Sequence, residues 1–222
     1  MCGRYTLHTS ANDVAKRFNL ASKPKEELRP NFNVTPTQVM PVITEDENGN
    51  RTVEFMKWGI PRILGKDVVK ELINTRSDKA FGGFWRKTVC NRRCLIPATG
   101  FYEWKTAKDG KTPYFIHPKG EDLYAFAGIW DTWKSEDGHE IRAYSIMTAE
   151  PNKEMKAIHN RMPVMLHQED EAAWLAPSND TADSLERLLY PSEDDRLEIY
   201  EVSRDVNNPR NNSAALLRPV AQ

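Results

Sequence analysis

The chain reads as one α+β domain: a curved, mostly antiparallel, barrel-like β-sheet system with short flanking helices. Three observations predict it. Three pairs of apolar-rich segments are each joined through a glycine turn, helical periodicity is confined to short stretches, and no repeat or low-complexity run divides the 222 residues. A chain of this length buries a substantial core as a single unit spanning residues 1–222.

The first helix is predicted over residues 11–18, with Ser10 as N-cap and Asp13 three positions on, a short relative of the capping box. The Pro/Glu/Lys-rich stretch 22–31 reads as loop. Segments Val39–Ile43 and Thr52–Trp58 flank Asn48-Gly49, and an Asn-Gly pair supplies the positive φ angles of a tight hairpin. Leu95–Lys105 and Pro113–His117 flank Asp109-Gly110, and Leu123–Trp130 and Ile141–Thr148 flank Asp137-Gly138, giving a second and a third hairpin. Met162–His167 and Leu197–Val202 add two strands. Helices are expected at 151–159, 168–175 and 180–190, the last placing Leu185, Leu188 and Leu189 on one face. The tail after Asn207 reads as loosely ordered.

Composition narrows the function. No apolar run approaches the roughly 18–20 residues needed to span a bilayer, and the N-terminus has no apolar signal region, so the expectation is a cytoplasmic protein with no membrane partner. Three cysteines do not suggest a disulfide framework. Cys90 and Cys94 are spaced poorly for zinc and lack a second pair, so no metal and no cofactor is expected. The net charge of −1 conceals an asymmetry: residues 56–119 hold 14 Lys/Arg against 5 Asp/Glu, whereas residues 120–222 hold 10 against 20. A basic middle third suggests a polyanion bound on one face, and Trp85-Arg86-Lys87 followed by Arg92-Arg93 points to nucleic acid. Nothing in the pattern indicates an oligomer, and a monomer is expected.

Cys2 follows Met1 directly. Once Met1 is removed, Cys2 carries an α-amine and a thiol on adjacent carbons, a pair no internal cysteine offers. An aldehyde held there condenses with the amine to an imine, and the thiol closes a five-membered thiazolidine. Reference pKa values of about 7.7–8.0 for the amine and about 8.5 for the thiol give both some reactive form near neutrality.

Four further segments hold polar residues that packing alone does not request: Phe32–Thr37, Ile73-Asn74-Thr75-Arg76-Ser77-Asp78, Gly100–Lys105 with Glu103 at its centre, and Ile158-His159-Asn160-Arg161-Met162-Pro163-Val164. With Met1–Arg4 and Trp58-Gly59-Ile60-Pro61, they run in an order that resembles the SRAP family, the SOS response-associated peptidase domains, over about the first 166 residues. That resemblance implies a mixed α/β domain around a curved sheet, loss of Met1, and binding of single-stranded DNA. It further implies a role in DNA repair, in which Cys2 couples covalently to abasic sites as a thiazolidine. The family name reflects an earlier reading as a thiol autopeptidase, and peptidase and lyase activities travel with it.

The residue chemistry fits these implied roles. Cys2 is the double nucleophile. Glu103, among Phe101, Tyr102 and Trp104, would shuttle protons, and His159 would relay a proton or bond a phosphate. Asn74 offers an uncharged amide to orient Cys2. Arg4, Arg76 and Arg161 suit phosphate oxygens through bidentate, charge-assisted bonds, with Ser77 and Arg86 beside them and Phe84 suited to base stacking. Three departures stand out: Ile63 and Leu64 occupy the place of a wedge tryptophan, Asp78 replaces a glutamate, and the 78–84 loop is short. Two other functions compete: a thiol peptidase built on Cys2, and a non-covalent reader of modified or damaged bases.

Overall fold

The computed structural model describes residues 2–23, 27–64, 68–108, 110–134 and 137–220. In chain order the first half comprises β1 (Tyr5–Leu7), α1 (Ala11–Arg17), β2 (Asn31–Val34), β3 (Val39–Glu45), β4 (Arg51–Trp58), β5 (Ile60–Leu64), β6 (Val68–Leu72), β7 (Asn74–Arg76), α2 (Ser77–Ala80) and α3 (Trp85–Asn91). The second half comprises β8 (Arg93–Ala98), β9 (Gly100–Ala107), β10 (Gly110–Pro118), β11 (Tyr124–Lys134), β12 (Glu140–Ala149), β13 (Met162–Pro163), β14 (Met165–Leu166), α4 (Glu171–Leu175), α5 (Ala182–Glu186) and β15 (Leu197–Glu201). Short 3-10 turns lie at Met155–Ala157, Arg204–Asn207 and Ala214–Leu217.

Two sheets organise the domain. In the larger, β12 pairs with β4, then β3, β8 and β11 follow, and β11 pairs back onto β12. Those five strands close into a barrel, so the curved, barrel-like expectation holds. All its pairings are antiparallel except β12 with β4. The second sheet runs β15-β10-β9-β1-β2 and is antiparallel throughout. A core cluster containing Cys2, Tyr5, Phe101, Trp58, Phe126 and Tyr144 draws side chains from both sheets. A second cluster packs α3, α4 and α5 against the barrel through Trp85, Val89, Trp174 and Leu185. Tyr102, Phe115, Val206 and Leu216 form a third, on the other face of the five-stranded sheet.

The predicted capping box is present: Ser10 accepts from the Asp13 amide at 3.1 Å and caps α1. The three hairpins are β3–β4, β9–β10 and β11–β12, with Gly49 and Gly138 at positive φ. Asp109, in the second turn, lies outside the described residues.

Several expectations need correction. The strand expected over 95–105 is two strands in different sheets, because the chain leaves the barrel at Thr99, whose amide bonds Thr6 O at 2.9 Å. Gly100 is required at that crossing: a Cβ there would lie 2.1 Å from the Phe115 ring. The strand expected over 162–167 is two short ones, since it passes from β12 to β11; Val164 bonds Met147 O and receives Ala127 N, each at 2.9 Å. The helix expected at 151–159 is one 3-10 turn capped by Asn152, whose side chain accepts from Met155 N at 3.0 Å. Helices expected at 168–175 and 180–190 are shorter, as α4 and α5.

The tail after Asn207 is folded rather than loose. Leu216 is buried, Val220 N bonds Glu201 O at 3.0 Å, and Asn33 Nδ2 donates to the carbonyls of Asn208 and Asn211. Polar composition alone suggests disorder there; the partners that order it are groups distant in sequence. Among the described residues, no helix is long and apolar enough to cross a membrane.

Candidate active site

Cys2 is fixed by the strand that follows it. β1 lies between β9 and β2, with Tyr5 opposite Phe101 and Val34, and Tyr102 N donates to Arg4 O at 2.9 Å. Cys2 is fully buried, and its Sγ points to Arg4 O at 3.7 Å. Its carbonyl accepts from Asn74 Nδ2 at 2.9 Å. Asn74 opens β7, which runs parallel to β12, and the preceding Ile73 carbonyl accepts from Trp58 Nε1 and Ile146 N, both at 3.0 Å. The Trp58-Gly59 segment therefore fixes where Asn74 begins. Asn74 Oδ1 is buried with no hydrogen-bond partner among the described residues, an acceptor on the side chain whose Nδ2 holds the Cys2 carbonyl.

Glu103 follows from strand alternation. Phe101 and Glu103 share one face of β9, and Phe101 belongs to the same core cluster as Cys2. Glu103 is 3% exposed. Burial, reinforced by the nearby Glu103 charge, pushes the Cys2 thiol well above its ordinary range, so the sulfur is a neutral thiol here. His159 follows the Met155–Ala157 turn, bonding Met155 O through its amide at 2.8 Å. His159 Nδ1 lies 3.1 Å from Arg161 N and 3.2 Å from Arg161 O, so the Arg161 backbone holds the ring in place.

A cavity of about 410 Å³ is lined by Arg4, Glu103, Trp104, Lys111, His159 and Asn207. The structure thus gathers Cys2, Asn74, Glu103 and His159 from the two sheets and the loop between β12 and β13. Met1 lies outside the described residues.

The basic residues divide into two groups. Arg4 is half-buried: Nη1 donates to Asn33 Oδ1 and Val206 O at 2.7 and 2.6 Å, and the guanidinium lies 5.6 Å from the Trp104 ring centre. Arg161 is 6% exposed and donates to Thr148 O, Glu150 Oε1 and Asp78 Oδ1, so a phosphate reaches it only by displacing a carboxylate. Arg76 is exposed and forms a two-pronged pair with Asp78, and Ser77 starts α2 behind it. Arg86 and Phe84 are exposed at the start of α3, whereas Trp85 is core. Arg93, grouped with Arg92 by sequence, is buried and caps the carbonyls of Val89, Cys90, Trp174 and Ala176. Sequence reasoning does not single out Asn33, Trp104 or Asn207 as site residues. The Arg4 and Trp104 bonds to residues 206 and 207 depend on the tail, which local sequence does not reveal.

All three cysteines are free thiols. Among the described residues, no group of three or more His, Cys, Asp or Glu side chains is arranged to hold a metal ion.

Fold and site define a class: a barrel domain that holds a cysteine near its N-terminus beside a carboxylate, an amide and a histidine. The chain belongs to the SOS response associated peptidase (SRAP) family, whose model matches residues 1–209. It is 40% identical to the abasic site processing protein YoaM of Bacillus subtilis, covering 98% of this chain and 97% of that one. It is 28% identical to the abasic site processing protein HMCES of Xenopus tropicalis, over 96% of this chain and 76% of that one. A crystal structure of a Bacteroides thetaiotaomicron protein superposes with a TM-score of 0.86 at 26% identity, covering 99% of this chain and all of the other.

Proposed function

We propose that this protein acts in DNA repair by capturing abasic sites in single-stranded DNA, through a thiazolidine formed at Cys2 after Met1 is removed. The observation that carries the reading is the burial of Cys2 beside Glu103, with Asn74 on its carbonyl. The names of the relatives, abasic site processing proteins, agree with it.

An abasic sugar opens to an aldehyde. The Cys2 α-amine attacks the aldehyde carbon, forming a C–N bond and a carbinolamine. Glu103 passes one amine proton to the new alkoxide, completing the carbinolamine. It then takes the second N–H proton and delivers it to the hydroxyl, which leaves as water and gives a neutral imine, with His159 able to relay the proton. Sγ then adds to the imine carbon, its proton passes to the nitrogen, and the ring closes. One water is lost overall, and no cofactor or metal takes part. The neutral thiol suits the last step: it carries the proton the nitrogen needs.

Arg76, Arg86 and Ser77 line the approach and bind backbone phosphate, with Phe84 stacking an unpaired base. Arg4 and Arg161 lie deeper and hold the walls, reaching phosphate only as the strand settles. A thiol peptidase is less well supported. It requires a thiolate, whereas burial pushes the Cys2 thiol well above its ordinary range.

Intact-mass spectrometry of Met1-free protein with an abasic oligonucleotide tests the reading. An adduct equal to protein plus DNA minus one water supports it; unmodified protein after complete mixing refutes it.

A further inference from the structure

Phe84 is a large apolar ring left 54% exposed at the start of α3. Its ring leans on Trp85, with centroids 4.5 Å apart, and forms part of the wall of two cavities. The larger, about 590 Å³, runs from Asn74 past Arg76 and Lys79 to Phe84. The smaller, about 270 Å³, is lined by Arg62, Phe84, Lys87, Asn91, Arg92 and Asp131, with Thr88 completing its wall.

We propose that the smaller cavity is a second phosphate site, taking a backbone phosphate of the same DNA strand beyond Phe84. This rests on the reading of Cys2 and Asn74 as the place where the strand is held.

Three cations face one carboxylate there. Asp131 accepts from Arg62 Nη2 at 2.8 Å and also from Arg92 Nη1, so one anion fixes both guanidiniums and the pocket keeps an excess of positive charge. Arg62 also lies over the Phe84 and Trp85 rings, at 4.8 and 5.3 Å. Its Nε is buried with no acceptor among the described residues, a donor that an anion's oxygen would satisfy. Asn91 and Thr88 complete the wall, with Asn91 Nδ2 donating to Lys87 O at 2.8 Å. Lys87 is exposed on α3 and adds a mobile charge at the rim. An aromatic platform flanked by guanidiniums suits a single strand, because base stacking and phosphate contact alternate along it.

The arrangement gives the strand a path. The base next to the lesion enters the larger cavity and stacks on Phe84, and the following phosphate enters the Arg62–Arg92 pocket. None of these contacts reads a base edge, so the site adds affinity without sequence preference.

The test is a fluorescence-anisotropy titration of undamaged thymidine oligonucleotide, about 12 nucleotides long, across about 50–200 mM salt. Lys87→Gln, the double variant Arg62→Gln/Arg92→Gln and Arg218→Gln, exposed on the tail that packs on the five-stranded sheet, are compared with the unaltered chain. Removing one charge that neutralises a phosphate lowers the magnitude of the log–log salt slope by about 0.7 for a single strand. The proposal expects that drop in Lys87→Gln, which leaves the Asp131 bonds intact, at least as large a drop in the double variant, and no change in Arg218→Gln. An unchanged slope in Lys87→Gln, or an equal change in Arg218→Gln, overturns it. The slope is read on undamaged DNA, so failure of covalent capture at Cys2 would refute the capture reading while leaving the slope to decide the pocket.

Discussion

The Asn74 amide donates to the Cys2 carbonyl at 2.9 Å, joining the first residue of β7 to a residue 72 positions earlier. That bond crosses from the barrel to the five-stranded sheet. It fixes the backbone of the proposed nucleophile without adding charge.

Asn74→Ala removes the donor. A hydrogen bond of this kind is worth about 1–1.5 kcal/mol, so single-turnover capture should slow by about tenfold. Asn74→Asp keeps an acceptor but not the donor, and should be slowed at least as much. Capture at the original rate in Asn74→Ala would show that the bond does not position Cys2.

Glu103→Gln separates two effects. Its charge raises the Cys2 thiol, after the larger effect of burial, so the thiol pKa should fall when the charge is removed. Capture should nevertheless slow by about 100-fold, because the proton acceptor is gone. Thiolate absorbance against pH, measured beside the capture rate, reads both. A faster variant would mean that thiolate supply, not proton transfer, limits the reaction.

Away from the site, Arg17 holds Glu171 through two bonds, at 3.1 and 2.7 Å, with Glu171 only 1% exposed. Removing one member of a buried pair costs about 3 kcal/mol, and urea unfolding of Arg17→Ala should show it near neutral pH. Burial raises the Glu171 carboxyl above its ordinary pKa, with Arg17 opposing. A raised carboxyl stabilises the fold in its protonated form and loses that contribution as pH rises through the folded pKa. Arg17→Ala raises it further, so its deficit should shrink as pH falls through the carboxylate range. A deficit independent of pH would place the loss in packing rather than charge.

Leu216→Ala tests the tail. The side chain is buried with Tyr102, Phe115 and Val206 on the outer face of the five-stranded sheet. Truncating it should cost about 2–4 kcal/mol. A loss below about 0.5 kcal/mol, the range of surface substitutions, would mean the tail is peripheral.

Much of this was legible in the sequence. Gly49 and Gly138 announced hairpins because only a few residues adopt their backbone angles, and Ser10 announced α1 by its capping chemistry. Cys2 stood out because it follows Met1 directly, and Glu103 because a carboxylate among the aromatic residues of a strand needs a reason, whereas Asn74 and His159 stood out only as members of the segments that resemble the family. Other features depended on distant partners. β1 is three residues long and carries no alternation of its own; its neighbours β9 and β2 define it. Arg161 and Arg93 read as surface cations, but each is buried against carbonyls that the fold brings to it. Arg62 carried no local signal, since its meaning depends on Asp131, 69 positions away.

The most direct measurement is a denaturing gel of Met1-free protein with single-stranded DNA bearing one abasic site, beside Cys2→Ala and an undamaged strand. A heat-stable shifted band that requires both Cys2 and the lesion is the predicted result. Its absence from verified mature protein, or its persistence in Cys2→Ala, would contradict covalent capture at Cys2.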